Sequence, residues 1–328
     1  MALLQAMSAQ QRQAASWSFE DPERADIHFA PFPLDGVEHG ELSQQASSHA
    51  DALLETALSA RGYATLREIR DLELAVLEKE KHRFWAFLMR GLRDPGRYLL
   101  AFFGEPSDAA PWGFRYEGHH LSVNLSAVPG APLATTPLFL GAEPRVVPEG
   151  WPSAGVAVLG EEERLARELH AALPAELKRR ATLEYESGRD LMLGQERRVE
   201  PAVPVGVARG EMPAVQQAQL DALVERFFGF FPDAAAGAQR ARLEAASRDA
   251  LYFAFVASDD PPNAFYLRLQ GPTLLIEIDN TSDGDHVHAV WHDLVNDFGD
   301  DVLARHLRDE HGLRLANRVV RETEGRMR

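Results

Sequence analysis

The chain has 328 residues, 45% of them hydrophobic, enough to bury one large core or two closely packed halves and to exclude disorder on a large scale. Its net charge of −16 opposes nonspecific binding to nucleic acid or anionic membrane, where affinity depends on Lys and Arg. With no cysteine, disulfides, thiolate nucleophiles, iron–sulfur clusters and cysteine-ligated zinc are excluded together, and any metal must be held by nitrogen and oxygen.

Residues 1–18 begin with a helix. The opening Met-Ala-Leu-Leu-Gln-Ala-Met lacks the basic leader and apolar core of a signal peptide, and no apolar run approaches the roughly 20 residues of a membrane span, so a cytoplasmic location is expected. A Pro- and Gly-punctuated connection fills Glu20 to Gly40, and helical periodicity follows from Ser43 to Arg90. Tyr98 to Gly104 reads as a buried aromatic strand and Trp112 to Ser126 as a second, longer one. The proline-rich stretch from Ala127 to Pro152 has ordered apolar character only at Leu138-Phe139-Leu140.

Helical spacing returns at Glu161–Leu183, then in the apolar face formed by Leu220, Leu223, Val224, Phe227, Phe228 and Phe231, and again at Arg240–Ala250. A second β section comprises Leu251–Ala257, Ala264–Gln270, Thr273–Asp279 and His286–Trp291. Phe298 to Leu313 closes the pattern as a final helix, before an arginine-rich tail.

Two stretches can be laid over one another: Arg115-Tyr116-Glu117-Gly118-His119-His120-Leu121 parallels Arg268-Leu269-Gln270-Gly271-Pro272-Thr273-Leu274, each after a helical block and a short aromatic strand. The expected fold is α+β, with two pseudo-repeated units of helices plus an antiparallel meander packed as one body. The boundaries are an N-terminal extension over 1–42, halves over 43–153 and 154–313, and a tail over 314–328.

Chemistry concentrates in two places. His286 and His288 alternate on a strand, so they point the same way with α-carbons roughly 6.6 Å apart, a separation two imidazoles can close onto one metal. His119 and His120 supply further ligands from elsewhere in the fold, and strand alternation groups His120 with Tyr116, Ser122 and Asn124, away from Glu117 and His119. His292 and Asp293 fall past the expected strand end, in an orienting or exposed role. His28, His39, His49, His82 and His170 show no converging pattern, and Ser282-Asp283-Gly284-Asp285 reads as a turn, lacking the spacing of a calcium loop.

At Pro111-Trp112-Gly113-Phe114-Arg115-Tyr116-Glu117-Gly118-His119-His120-Leu121-Ser122-Val123-Asn124, Phe139-Leu140-Gly141-Ala142, Gln270-Gly271-Pro272 and Asp279-Asn280-Thr281 with His286-Val287-His288-Ala289-Val290-Trp291, the sequence resembles an uncharacterised, mainly bacterial family known as domain of unknown function 3500. The resemblance runs from about Gly62 to Gly299 and implies no activity. The family's pattern often carries arginine at the position of His292, which leaves His119, His120, His286 and His288 as the shared ligand candidates.

The expectation is therefore a His-ligated metalloenzyme holding one transition metal ion, copper or iron in an oxidoreductase or oxygenase, with Glu117 as the catalytic base and a small molecule as substrate. Zinc in a hydrolase is the alternative, and a non-catalytic ligand- or metal-binding module is the competing class. No nucleic-acid or membrane partner is expected, and the oligomeric state is left open.

Overall fold

Alternate residues of the central strands are apolar, and that alternation builds a sheet with one face on a hydrophobic core. The computed structural model describes residues 1–29, 36–80, 93–151, 154–184, 191 and 203–300. The protein is α+β, and its described residues form one mixed sheet of eleven strands. The strands are β1 (Ser16–Trp17), β2 (Val37–Glu38), β3 (Leu99–Phe103), β4 (Trp112–Gly118), β5 (Leu121–Ala127), β6 (Leu138–Ala142), β7 (Val207–Ala208), β8 (Tyr252–Ser258), β9 (Ala264–Gln270), β10 (Leu274–Asp279) and β11 (Val287–Asp293). The described helices are α1 (Ala2–Ala6), α2 (Ala9–Ala14), α3 (Gln44–Ala57), α4 (Ala60–Glu80), α5 (Gly160–Ala172), α6 (Ala175–Ala181), α7 (Ala214–Phe228) and α8 (Asp233–Ala246).

The sheet runs β1-β3-β4-β5-β6-β11-β10-β9-β8-β7, with β2 also on β3. Two antiparallel four-strand meanders, β3 to β6 and β8 to β11, thus meet where β6 pairs β11. Among the described residues, each meander is preceded by a short edge strand, a 3-10 turn, two helices and a second 3-10 turn.

One face of the sheet carries Leu121, Val123 and Leu125 of β5, Phe265, Leu267 and Leu269 of β9, Leu274, Ile276 and Ile278 of β10, and Val287, Ala289 and Trp291 of β11. These join Leu54, Leu66 and Ile69 from α3 and α4 and Leu223, Phe227 and Phe228 from α7 in the main core. The alternate residues form the other face, where Ser122, Asn124, Tyr266, Arg268, Gln270, Glu277, Asp279 and His292 are nevertheless buried. A smaller apolar cluster of Ile27, Phe29, Phe139, Leu191, Val290 and Phe298 lies on this second, polar side. Burying so many polar groups is costly unless they are paired, so this face is where function is to be sought.

The expected single strand over Trp112–Ser126 is two strands joined by a turn at His119-His120. Two local features cause the break. A Cβ on Gly118 would lie 2.1 Å from the Tyr98 ring, so only glycine fits there, and His120 adopts a left-handed conformation with φ 63°. The reversal changes the facing: Glu117 pairs with Ser122 and Arg115 with Asn124, which puts all four on the polar face and corrects the expected separation of Glu117 from Ser122 and Asn124. Residues 301–313 of the expected final helix, the tail over 314–328, and His82, His306 and His311 lie outside the described residues; Asp297–Gly299 is a 3-10 turn.

Candidate metal centre

The hairpin turn that carries His119 and His120 is fixed from below, because the Tyr98 hydroxyl donates to the His119 carbonyl at 2.6 Å. Gly141 in β6 donates its N–H to the His120 carbonyl at 2.7 Å and stands opposite His288 of β11. His120 just ahead of β5, Gly141 of β6 and His288 of β11 are therefore side by side across three adjacent strands. A Cβ on Gly141 would lie 2.9 Å from His288 Cδ2 and 3.0 Å from His120 Cδ2, so the missing side chain is the space the two imidazoles occupy.

His286 precedes β11, its N–H donating to Asp283 Oδ1 at 2.7 Å within a turn that reverses at Gly284. Asp283 thus serves that turn, as expected. The His286 and His288 ring centroids are 4.5 Å apart, and those of His120 and His286 4.9 Å. His120 Nε2 faces His286 Nε2 at 2.8 Å. His120, His286 and His288 each offer a nitrogen with all three within 4.8 Å of one another, a grouping that could hold a metal ion. One histidine comes from the first meander and two from the second, so the group is assembled only where the two meet.

Behind His120 stands Glu73 of α4, buried, whose Oε1 lies 2.8 Å from Nδ1 of both His119 and His120. A carboxylate accepting from Nδ1 fixes the tautomer with its proton there and leaves the His120 Nε2 lone pair directed at His286. Arg93 Nη1 lies 3.7 Å from Glu73 Oε2, and Arg93 also pairs with Glu143. Burial, followed by the charges of His119, His288, His286 and Arg93, holds His120 well below its ordinary pKa; burial and then His288 lower His286 too. Neutral imidazoles are the form that binds metal. Glu73, His119 and His120 make a second group capable of holding an ion.

Glu73 was not among the sequence candidates, although the spacing that buries Leu66, Ile69 and Val76 on α4 also buries residue 73. An acid on an apolar helical stripe was the available signal.

The remaining expected residues are elsewhere. Glu117 is buried, with Oε1 2.8 Å from Arg115 Nε and Oε2 accepting the His28 N–H at 3.3 Å. Burial pushes its carboxyl up to about 8, against the lowering effects of Arg115 and that N–H. His28, which showed no pattern in the sequence, joins Glu23 and Asp26 in a third group that could hold an ion, its Nε2 3.8 Å from Glu23 and 3.9 Å from Asp26. His292 lies inside β11 and is fully buried, correcting its placement past the strand end: its Nδ1 meets Asp297 Oδ2 at 2.6 Å, while Nε2 has no partner among the described residues. Asp293 ion-pairs with Arg242.

A family model described as protein of unknown function (DUF3500) matches residues 1–300. The chain belongs to this family. A search of curated proteins and of solved structures gave no match. The DUF3500 description carries no activity, so for this member of the family the chemistry has to be argued from its own side chains. Among the described residues no helix is long and apolar enough to cross a membrane.

Proposed function

We propose that this protein is a metalloenzyme that holds one transition metal ion through His120, His286 and His288, with Glu73 as the carboxylate that orients His120. The observation that carries this reading is the pair of ring nitrogens, His120 Nε2 and His286 Nε2, facing each other at 2.8 Å while the Glu73 carboxylate occupies His120 Nδ1. The space left by Gly141 supports it, since a side chain there would displace two of the three ligands. His119, an expected ligand, is assigned to positioning, because its Nδ1 meets the same Glu73 oxygen.

The metal we favour is copper or iron, in an oxidoreductase or oxygenase acting on a small molecule. All-nitrogen imidazole donors suit either ion, and Phe29, with its ring centroid 5.6 Å from that of His288, makes one side of the site apolar. Such an ion supplies one-electron chemistry; zinc in the same three-imidazole set would supply water activation, which is the second reading. The protein's own part is to keep His120 and His286 neutral by burial and to fix the orientation of His120 through Glu73. Glu117, expected as the base, forms an ion pair with Arg115, accepts the His28 N–H and belongs to none of the three ion-holding groups, so we assign it to holding the segment around His28 over the sheet. The same reading takes the two halves of the chain as one duplicated unit, in which Gly36-Val37-Glu38-His39-Gly40-Glu41 corresponds to Gly206-Val207-Ala208-Arg209-Gly210-Glu211.

Elemental analysis of untagged protein tests the reading. About one copper or iron per chain, lost in His286→Ala/His288→Ala and kept in His49→Ala/His170→Ala, is the expected result. Zinc at the same stoichiometry would shift the assignment to hydrolysis. A chain that takes up no metal on titration with copper, iron or zinc would overturn it.

A further inference from the structure

Glu23, Asp26 and His28 lie outside the imidazole group, and the local backbone brings them together. Glu23 sits in a 3-10 turn, Pro22–Ala25, whose start is capped by the Asp21 carboxylate accepting the Glu23 N–H at 3.0 Å. Residues three apart eclipse in such a turn, so Asp26, which closes it, falls on the side of Glu23. Asp26 itself is extended, with φ −95° and ψ 149°, and alternation from there turns Asp26 and His28 to one side and Ile27 and Phe29 to the other. Ile27 and Phe29 enter the small apolar cluster with Phe139, while Asp26 and His28 offer donor atoms to the same point as Glu23. The His28 backbone is fixed as well, its N–H donating to Glu117 Oε2.

His28 Nε2 stands 3.8 Å from Glu23 Oε2 and 3.9 Å from Asp26 Oδ2, and the three donor atoms lie within 4.8 Å of one another. Those gaps are too wide for hydrogen bonds. Two donors each roughly 2.1 Å from a tetrahedral ion are about 3.4 Å apart, so a shift of roughly half an ångström closes these pairs onto a cation. The Glu23 and His28 side chains are each 35% exposed, which gives an ion and its waters a way in. The Arg115 guanidinium, 3.7 Å from Glu23 Oε2, is beyond hydrogen-bonding distance of it and is held by Glu117 at 2.8 Å. We propose that Glu23, Asp26 and His28 form a second metal site, which takes a divalent cation of the Mn²⁺ type. Calcium and magnesium take oxygen donors, and one imidazole beside two carboxylates favours a transition ion that accepts both. The ion clamps the segment that ends in Phe29, whose carbonyl accepts the His120 N–H at 3.1 Å and whose ring stacks on that of Phe139 at 3.8 Å. The inference is independent of whether the three imidazoles take up metal.

Titration of the chelator-stripped full chain with Mn²⁺ alone tests it, the free ion being read from its electron paramagnetic resonance signal. The expected result is saturable binding of about one Mn²⁺ per chain, in the wild type and in His286→Ala/His288→Ala alike. Asp26→Asn and His28→Gln should each weaken it by about tenfold or more. Glu23→Gln, at an exposed side chain, should weaken it too, and serves in place of Asp26→Asn if the buried position does not tolerate the change. Hydrogen exchange at the His120 amide, bonded to the Phe29 carbonyl, should slow when Mn²⁺ is bound. The inference is overturned by any of these: no saturable binding, binding lost in a folded His286→Ala/His288→Ala chain, affinity unchanged in a folded variant of Glu23, Asp26 or His28, or a His120 amide that exchanges as fast with the ion as without it. Because His286→Ala/His288→Ala removes two of the three imidazoles, failure of the imidazole assignment leaves this test intact.

Discussion

Gly141 and His288 face each other across β6 and β11, and a Cβ on Gly141 would stand 2.9 Å from His288 Cδ2. The imidazole thus occupies the volume of a side chain that the sequence withholds. Gly141→Ala should displace His288 and His120 at a strain of about 1–3 kcal/mol, read as metal binding weakened by roughly 5- to 150-fold. Titration with zinc or copper by calorimetry checks this, and a circular dichroism spectrum equal to that of the wild type would show that the fold survives.

Glu73 reaches both hairpin histidines with one oxygen. Glu73→Gln preserves the volume and removes the charge, so the tautomer and orientation of His120 lose their anchor. Metal affinity should fall by roughly 10- to 100-fold with stoichiometry preserved, the usual range for a partner of a ligating histidine. An unchanged affinity would show that Glu73 holds the hairpin and nothing more.

At Gly118 the Tyr98 ring stands where a Cβ would go, 2.1 Å from its position. Gly118→Ala should cost about 1–3 kcal/mol by overpacking, seen as a lower urea midpoint at constant m-value. Because Tyr98 also donates to the His119 carbonyl, the same variant should weaken metal binding, whereas a stability loss of similar size in the distant α8 should not.

His39 is buried, with Nε2 2.8 Å from Ser47 Oγ and Nδ1 3.2 Å from Tyr116 Oη, and burial, then Arg70, lowers its pKa from 6.5 to about 4. Between those values the unfolded chain holds a proton that the folded chain does not. Stability contributed by neutral His39 is therefore complete above about 6.5 and is lost as pH falls towards 4. Urea denaturation at pH 7, 6, 5 and 4.5 should show a decline that is shallower in His39→Gln.

Several features are legible along the chain because they depend on local spacing. The His-x-His spacing marked His286 and His288 as a pair, although His286 lies just ahead of β11 and not on the strand as expected, and the missing cysteines confined any site to nitrogen and oxygen donors. Helical periodicity located α3, α4, α5 and α7, and the short aromatic runs located β3, β8 and β9, each close to where it lies. The turn at His119-His120 was hidden, since it follows from contact between Gly118 and a ring twenty residues earlier in the chain.

What the sequence by itself determined is the kind of chemistry available and the α+β class, both set by composition and by periods of 2 and 3.6 residues. Only the tertiary structure decided which groups meet. His120 joins His286 and His288 because β6 pairs β11 across the junction of the two meanders, and Glu73 joins them because α4 packs over the hairpin. Those outcomes depend on contacts between residues tens to more than a hundred positions apart, and no local period records such a contact.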